Sequence, residues 1–214
     1  EANVVNTARE AHEAGYTVRI CGEGSNGGNI TYPSSVRDPL STVFAVIKLM
    51  YIDGLFRTWC GKSGHAFKED FTLTDVLDTL PVYTTTGVSE PRAVLHINTS
   101  DHGVLKGRFQ KIFESEWKEK RETLSSKYGI VSYEAVLTNG TKQTRNASDF
   151  SASGKGGLKI IFYDAQKKPA AFIWMRGSGT EPVFRVMCDV KGAAADEEKD
   201  LLQWETDMLL KADA

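Results

Sequence analysis

The sequence predicts a chain in two parts, a first part that mixes helices with short strands followed by an α+β second part. Three observations carry this. Before residue 81, helical runs of apolar residues alternate with short runs of β formers. Residues 81 to 91 then hold two prolines, the run Thr84-Thr85-Thr86-Gly87 and no core pattern. Beyond them, several strand-like runs lie between two long helical stretches, an order expected of an antiparallel sheet with helices packed against it. The expected organisation is therefore residues 1 to 83, a linker over 84 to 91, and residues 92 to 214.

The elements follow from spacing and punctuation. Val4, Val5, Ala8, Ala11 and His12 recur at helical intervals and stop at Gly15. Residues 16 to 21 alternate as a strand, and 29 to 32 form a short extended run. A helix over 40 to 52 presents Val43, Phe44, Ile47 and Met50, ended by Asp53-Gly54. Residues 55 to 71 show no period. A short helix over 74 to 80 is capped by Thr72 or Thr74 and closed by Pro81. Residues 92 to 98 alternate as a strand. Ser100 or Asp101 caps a long helix reaching Tyr128, with Leu105, Phe109, Ile112, Phe113, Trp117 and Leu124 inward. Asn139-Gly140 marks a hairpin between 133 to 138 and 141 to 145. Strands over 158 to 163, 170 to 175 and 183 to 189 follow. A closing helix over 194 to 211 buries Leu201, Leu202, Trp204 and Leu209.

Composition excludes several function classes. The 214 residues are 41% hydrophobic and 25% charged, with a formal net charge of −2. That balance offers no broad basic face for nucleic acid, so any anion site must be local. Three widely spaced cysteines (Cys21, Cys60, Cys188) fit neither a disulfide framework nor a zinc site and point to a reducing compartment. The apolar run over 43 to 52 is interrupted by Lys48 and too short to span a bilayer. With no signal peptide visible, a cytoplasmic location without membrane contact is expected. The chain starts inside a helical pattern without a methionine, so it reads as a piece of a longer protein.

The stretch with the strongest chemical character is Arg176-Gly-Ser-Gly-Thr-Glu-Pro-Val-Phe-Arg185, between two expected strands. A plain hairpin needs about two to five loop residues. Here the glycines allow close backbone approach and leave amide N–H groups free to point at a ligand. Arg176 offers a planar fork matched to phosphate, Ser178 and Thr180 add neutral donors, and Gly179 adds an open backbone amide. The combination suits a dianionic phosphate ester better than a polar turn with solvated arginines.

Other motifs fare worse. Gly22-x-Gly24-x-x-Gly27 matches the dinucleotide fingerprint literally, but that fingerprint needs a helix at its third glycine. Here an extended run and Pro33 follow. Glu23, Ser25 and Asn26 on this loop either grip paired sugar hydroxyls or sit solvated on a turn; both readings stay open. Gly61-Lys62-Ser63 lacks the first glycine of a P-loop, Phe56 standing in its place. Thr99-Ser100-Asp101-His102 is a helix cap before it is a nucleophilic serine. The four histidines have no metal-ligand spacing with one another or with the cysteines, so no metal site is assigned to this chain.

Together, Gly22-Glu23-Gly24-Ser25-Asn26-Gly27-Gly28 and Arg176 to Arg185 resemble two signature loops of the α-D-phosphohexomutase family, the phosphoglucomutases and phosphomannomutases. In that family a sugar-recognition loop lies in the third of four domains and a phosphate loop, typically Arg-x-Ser-Gly-Thr-Glu-Pro, in the fourth. Leu80-Pro81-x-Tyr83 resembles the end of the third domain. The resemblance covers essentially the whole chain and implies a truncated α/β third domain followed by a TBP-like fourth domain. It implies that Glu23, Ser25 and Asn26 contact the sugar, and that Arg176, Ser178, Gly179, Thr180 and Arg185 hold the phosphate that is not transferred. It further implies interconversion of hexose 1- and 6-phosphates through a bisphosphorylated intermediate. The phosphoserine and the Mg²⁺ site of the full-length enzyme would lie in N-terminal domains outside this chain, which by itself would be inactive. Gly177 in place of the common proline, and Asn26 before the glycine pair, depart from the pattern. A phosphoglucosamine mutase fragment or a stand-alone phosphosugar sensor are the alternatives.

Overall fold

The computed structural model describes residues 2–18, 20–22, 29–31, 38–87, 89–140, 142–178 and 183–214. The chain divides into two compact units, Glu1–Pro81 and Val82–Ala214.

In the first unit, α1 (Ala2–Glu13) precedes an antiparallel pair, β1 (Ile20–Gly22) and β2 (Asn29–Thr31), and then α2 (Pro39–Tyr51). Asp38 caps α2, accepting from the Leu40 N–H at 3.0 Å, with Pro39 in the first turn where its missing donor costs nothing. Residues 55 to 71, which show no period, contain α3 (Leu55–Ser63), held between Gly54 and Gly64, both in left-handed backbone. Thr72 and Asp75 form a reciprocal capping box at α4 (Leu73–Leu77). Among the described residues this unit has a small core. Phe56, Cys60 and Val76 are buried against Leu49, Met50, Phe67 and Phe71. Of the four α2 residues expected to face inward, only Met50 joins that cluster; Val43, Phe44 and Ile47 are exposed. α2 is apolar over most of its circumference, with Ser41, Thr42 and Lys48 the exceptions, so periodicity identifies the helix without narrowly selecting its buried side.

The second unit is of α+β class. Its antiparallel sheet runs β3-β9-β8-β7-β5-β6, and β4 also pairs with β9, making seven strands among the described residues. The strands are β3 (Tyr83–Thr85), β4 (Val94–Leu95), β5 (Ser132–Asn139), β6 (Lys142–Thr144), β7 (Gly157–Tyr163), β8 (Pro169–Gly177) and β9 (Phe184–Lys191). Two helices, α5 (His102–Tyr128) and α6 (Ala195–Asp213), pack with the sheet around one core. Alternation along β8 and β9 sends Ile173, Met175, Val186 and Cys188 into that core.

Two expectations are corrected here. Residues 84 to 91 are not a free linker. Thr84 and Thr85 pair with Val190 and Asp189, and Thr86 is buried, exchanging hydrogen bonds with the backbone of Cys188. The hydroxyl of Thr86 and the guanidinium of Arg92 both reach the buried carboxylate of Glu198. Threonine-rich composition without an apolar period concealed an edge strand whose polar groups are satisfied by the sheet and α6. Likewise the strand expected over 92 to 98 shrinks to Val94 and Leu95, because Pro91 opens a 3-10 turn. The Asn98 and Thr99 amides instead donate to the Asp213 carboxylate, both at 2.7 Å.

Glu205 on α6 lies fully buried, with neither carboxylate oxygen in a hydrogen bond. Burial pushes its pKa well up. The folded state therefore binds a proton that the unfolded state releases above the ordinary carboxyl range, and stability falls as pH rises. Two other shifted groups act in the opposite sense: unfolded His102 still binds protons around pH 6.5, and Lys106, with its pKa pushed down to about 8, releases its proton in the folded state first, so both add stability as pH rises. The Glu205 effect is therefore read as a difference from Glu205→Met: while Glu205 stays protonated, the wild type is expected to lose about 1.4 kcal/mol per pH unit relative to that variant in urea unfolding. An equal slope in the variant would place the proton elsewhere.

Among the described residues no single helix is long and apolar enough to cross a membrane; α2 and α3 reach that length only together, across a 93° bend.

Candidate functional site

One end of the sheet in the second unit gathers the polar groups of interest. β8 ends in Arg176 and Gly177, and the Ser178 N–H donates to the Val183 carbonyl at 2.8 Å, closing the loop into β9. Arg176 lies directly across from Arg185 in the β8–β9 register, so the two arginines share a face of the sheet. Arg176 is exposed, its Nε donating to the Gly177 carbonyl at 3.3 Å. Among the described residues no carboxylate pairs with it. The sequence-expected residues Gly179 and Thr180, and all three sugar-loop residues Glu23, Ser25 and Asn26, lie outside the described residues.

A cleft of about 620 Å³ opens here, lined by Ser100, His102, Thr138, Asn139, Lys155, Arg176, Gly177 and Ser178 among others. Four segments build it, and each is placed by a local rule. Asp101 caps α5, accepting from the Gly103 and Val104 amides at 2.9 and 3.1 Å, so Asp101 rather than Ser100 is the cap. This leaves Ser100 and His102 at the rim. Asn139 ends β5 paired with Lys142, so β5 runs one residue into the turn expected at Asn139-Gly140; Gly140 takes a left-handed φ of 61°. The turn over 150 to 156 carries Lys155. Gly156 packs so tightly that a Cβ would overlap the Thr138 carbonyl and the Asn139 side chain, and would stand 2.9 Å from the Ser153 carbonyl. Only glycine lets this turn close onto the end of β5.

Behind the cleft, Lys106 on α5 is fully buried and donates to the carbonyls of Gly154 and Gly156 at 2.9 and 2.5 Å. Its ammonium thus clamps the backbone on either side of Lys155. Burial, helped by Arg176, pushes the Lys106 pKa down to about 8. No acid pairs with it among the described residues. Asp101, which caps α5, stands near His102. Among the described residues the site joins Arg176 and Lys155, with Lys106 behind them, against that one carboxylate, a positive balance that favours an anion.

Arg176 and Ser178, named from the sequence, line this cleft, and Lys155 and His102, which sequence reasoning did not assign to it, line it beside them. The available signal was the Ser-Gly-Lys-Gly-Gly run over 153 to 157, whose glycines mark close backbone approach. No protein-family model matches this chain, and no curated protein matches it either.

Proposed function

We propose that this chain is the substrate-binding, C-terminal portion of a phosphohexomutase, an isomerase that interconverts hexose 1- and 6-phosphates. The observation that carries this reading is the convergence of Arg176 and Ser178, from the phosphate-loop motif, on a cleft that Lys155 also lines and none of whose described lining residues is acidic. An α+β second unit with an antiparallel sheet and two long helices supports assignment as the family's TBP-like fourth domain. The first unit, with Glu23, Ser25 and Asn26, is then the later part of the third domain. On this reading the chain clamps the non-reacting phosphate and the sugar hydroxyls. Phosphoryl transfer also needs a donor and a metal. The proposal places both in N-terminal domains of the same protein, so no residue here carries a chemical step.

Phosphate held by several charge-assisted bonds, less the cost of ordering ligand and loop, gives affinity from about mM to high μM. Titration of the chain with glucose 1-phosphate is expected to show saturable binding in that range, displaced by inorganic phosphate. A longer protein with the upstream loops should interconvert glucose or mannose 1- and 6-phosphates. Absence of binding at roughly 10 mM ligand would sink the reading.

A further inference from the structure

We propose that the anion site extends beyond the loop after β8, with Lys155 and His102 as direct ligands of the same phosphate group. This rests on the phosphate-binding reading above and adds residues that the loop motif does not contain.

The first observation is the packing of His102 on Gly177. A Cβ at Gly177 would overlap the imidazole, so the ring occupies the space that a side chain at this position would fill. Phe184 holds the ring edge-on, with centroids 5.3 Å apart at 84°. His102 is thereby fixed against the first residues of the phosphate loop. The second observation is its hydrogen bonding. Nδ1 is enclosed and makes no hydrogen bond. A buried N–H without an acceptor is costlier than a bare lone pair, and the ammonium groups of Lys106 and Lys155 also favour the bare nitrogen. The ring proton therefore sits on Nε2, the nitrogen that is not enclosed, on a residue lining the cleft. Burial first, then Lys106 and Lys155, hold the pKa of His102 below its ordinary value against the pull of Asp101. At neutral pH the ring is an uncharged donor.

The third observation concerns Lys155. Its backbone is gripped on both sides, Lys106 holding the Gly154 and Gly156 carbonyls, yet its side chain is exposed at the cleft. Lys106 thus fixes the backbone from which the Lys155 side chain reaches the cleft that Arg176 also lines, so an anion there meets two cations. A phosphate dianion would take charge from Arg176 and Lys155 and a neutral hydrogen bond from His102 Nε2–H.

Calorimetric titration of the chain with glucose 1-phosphate and with inorganic phosphate tests this. Lys155→Met is expected to weaken both ligands about 10-fold, and His102→Leu about 3- to 10-fold. His102→Gln, whose amide N–H reaches near the Nε2 position, should recover most of the loss. A purely structural role for the ring would not separate leucine from glutamine. Lys155 is exposed, so its variant folds whatever befalls the His102 variants. Wild-type affinity in Lys155→Met and His102→Leu, with binding lost in Arg176→Ala, would overturn this inference and leave the phosphate-binding reading standing. Failure of the unaltered chain to bind either ligand would overturn both.

Discussion

Arg176→Ala is expected to weaken hexose phosphate binding by about 10- to 100-fold, the effect of losing one or two charge-assisted hydrogen bonds worth about 1.5–3 kcal/mol each. Arg176 is exposed, and its described hydrogen bond goes only to the adjoining Gly177 carbonyl. Its removal should therefore leave the urea midpoint nearly unchanged while abolishing most affinity. Arg176→Lys keeps the charge and loses the planar fork, so an intermediate loss is expected. The salt dependence should also separate the variants, because the alanine change removes a charge and the lysine change does not. Unaltered affinity in Arg176→Ala, measured by calorimetry, would remove the central residue of the proposed function.

Phe113→Ala is expected to cost about 3–5 kcal/mol of stability, the usual range for deleting a buried aromatic ring. Phe113 is fully buried at the centre of an aromatic group that joins α5, the sheet and α6. Tyr133 meets it edge-on at 4.8 Å and 90°, and Trp204 approaches at 5.6 Å. Phe109, Trp117 and Phe150 lie within 6.0 to 6.2 Å. Removing the ring opens a void that rigid aromatic neighbours cannot close, so the transfer and cavity costs add. A loss below about 1 kcal/mol in urea unfolding would mean that the aromatic group repacks and is not the hub of this unit.

Much of the second unit was readable from residue pattern. The inward face of α5, the strands from Tyr133 onward and the four apolar residues of α6 all obey periods of 3.6 or 2, and one-sided burial enforces those periods. Patterns failed where burial is decided by contacts distant in sequence. Thr84 to Thr86 look like a linker because threonine is polar, yet β9 and Glu198 supply partners that make the strand favourable. α3 escaped notice because its buried residues, Phe56 and Cys60, are separated by one turn and give too short a period. The exposed apolar face of α2 shows the converse, a clear helix pattern with no buried side specified.

For the site the division is similar. By itself the amino-acid order determined that one segment, Arg176 to Arg185, concentrates donors and glycines suited to phosphate, because those groups are neighbours along the chain. Only the tertiary structure decided that Lys155 and His102 stand at that segment's side, and that a buried Lys106 clamps one of them. Charges from separate strands and helices have no local signature. They meet because antiparallel pairing returns each strand to the same end of the sheet, where the long-range folding of the core sets their distance.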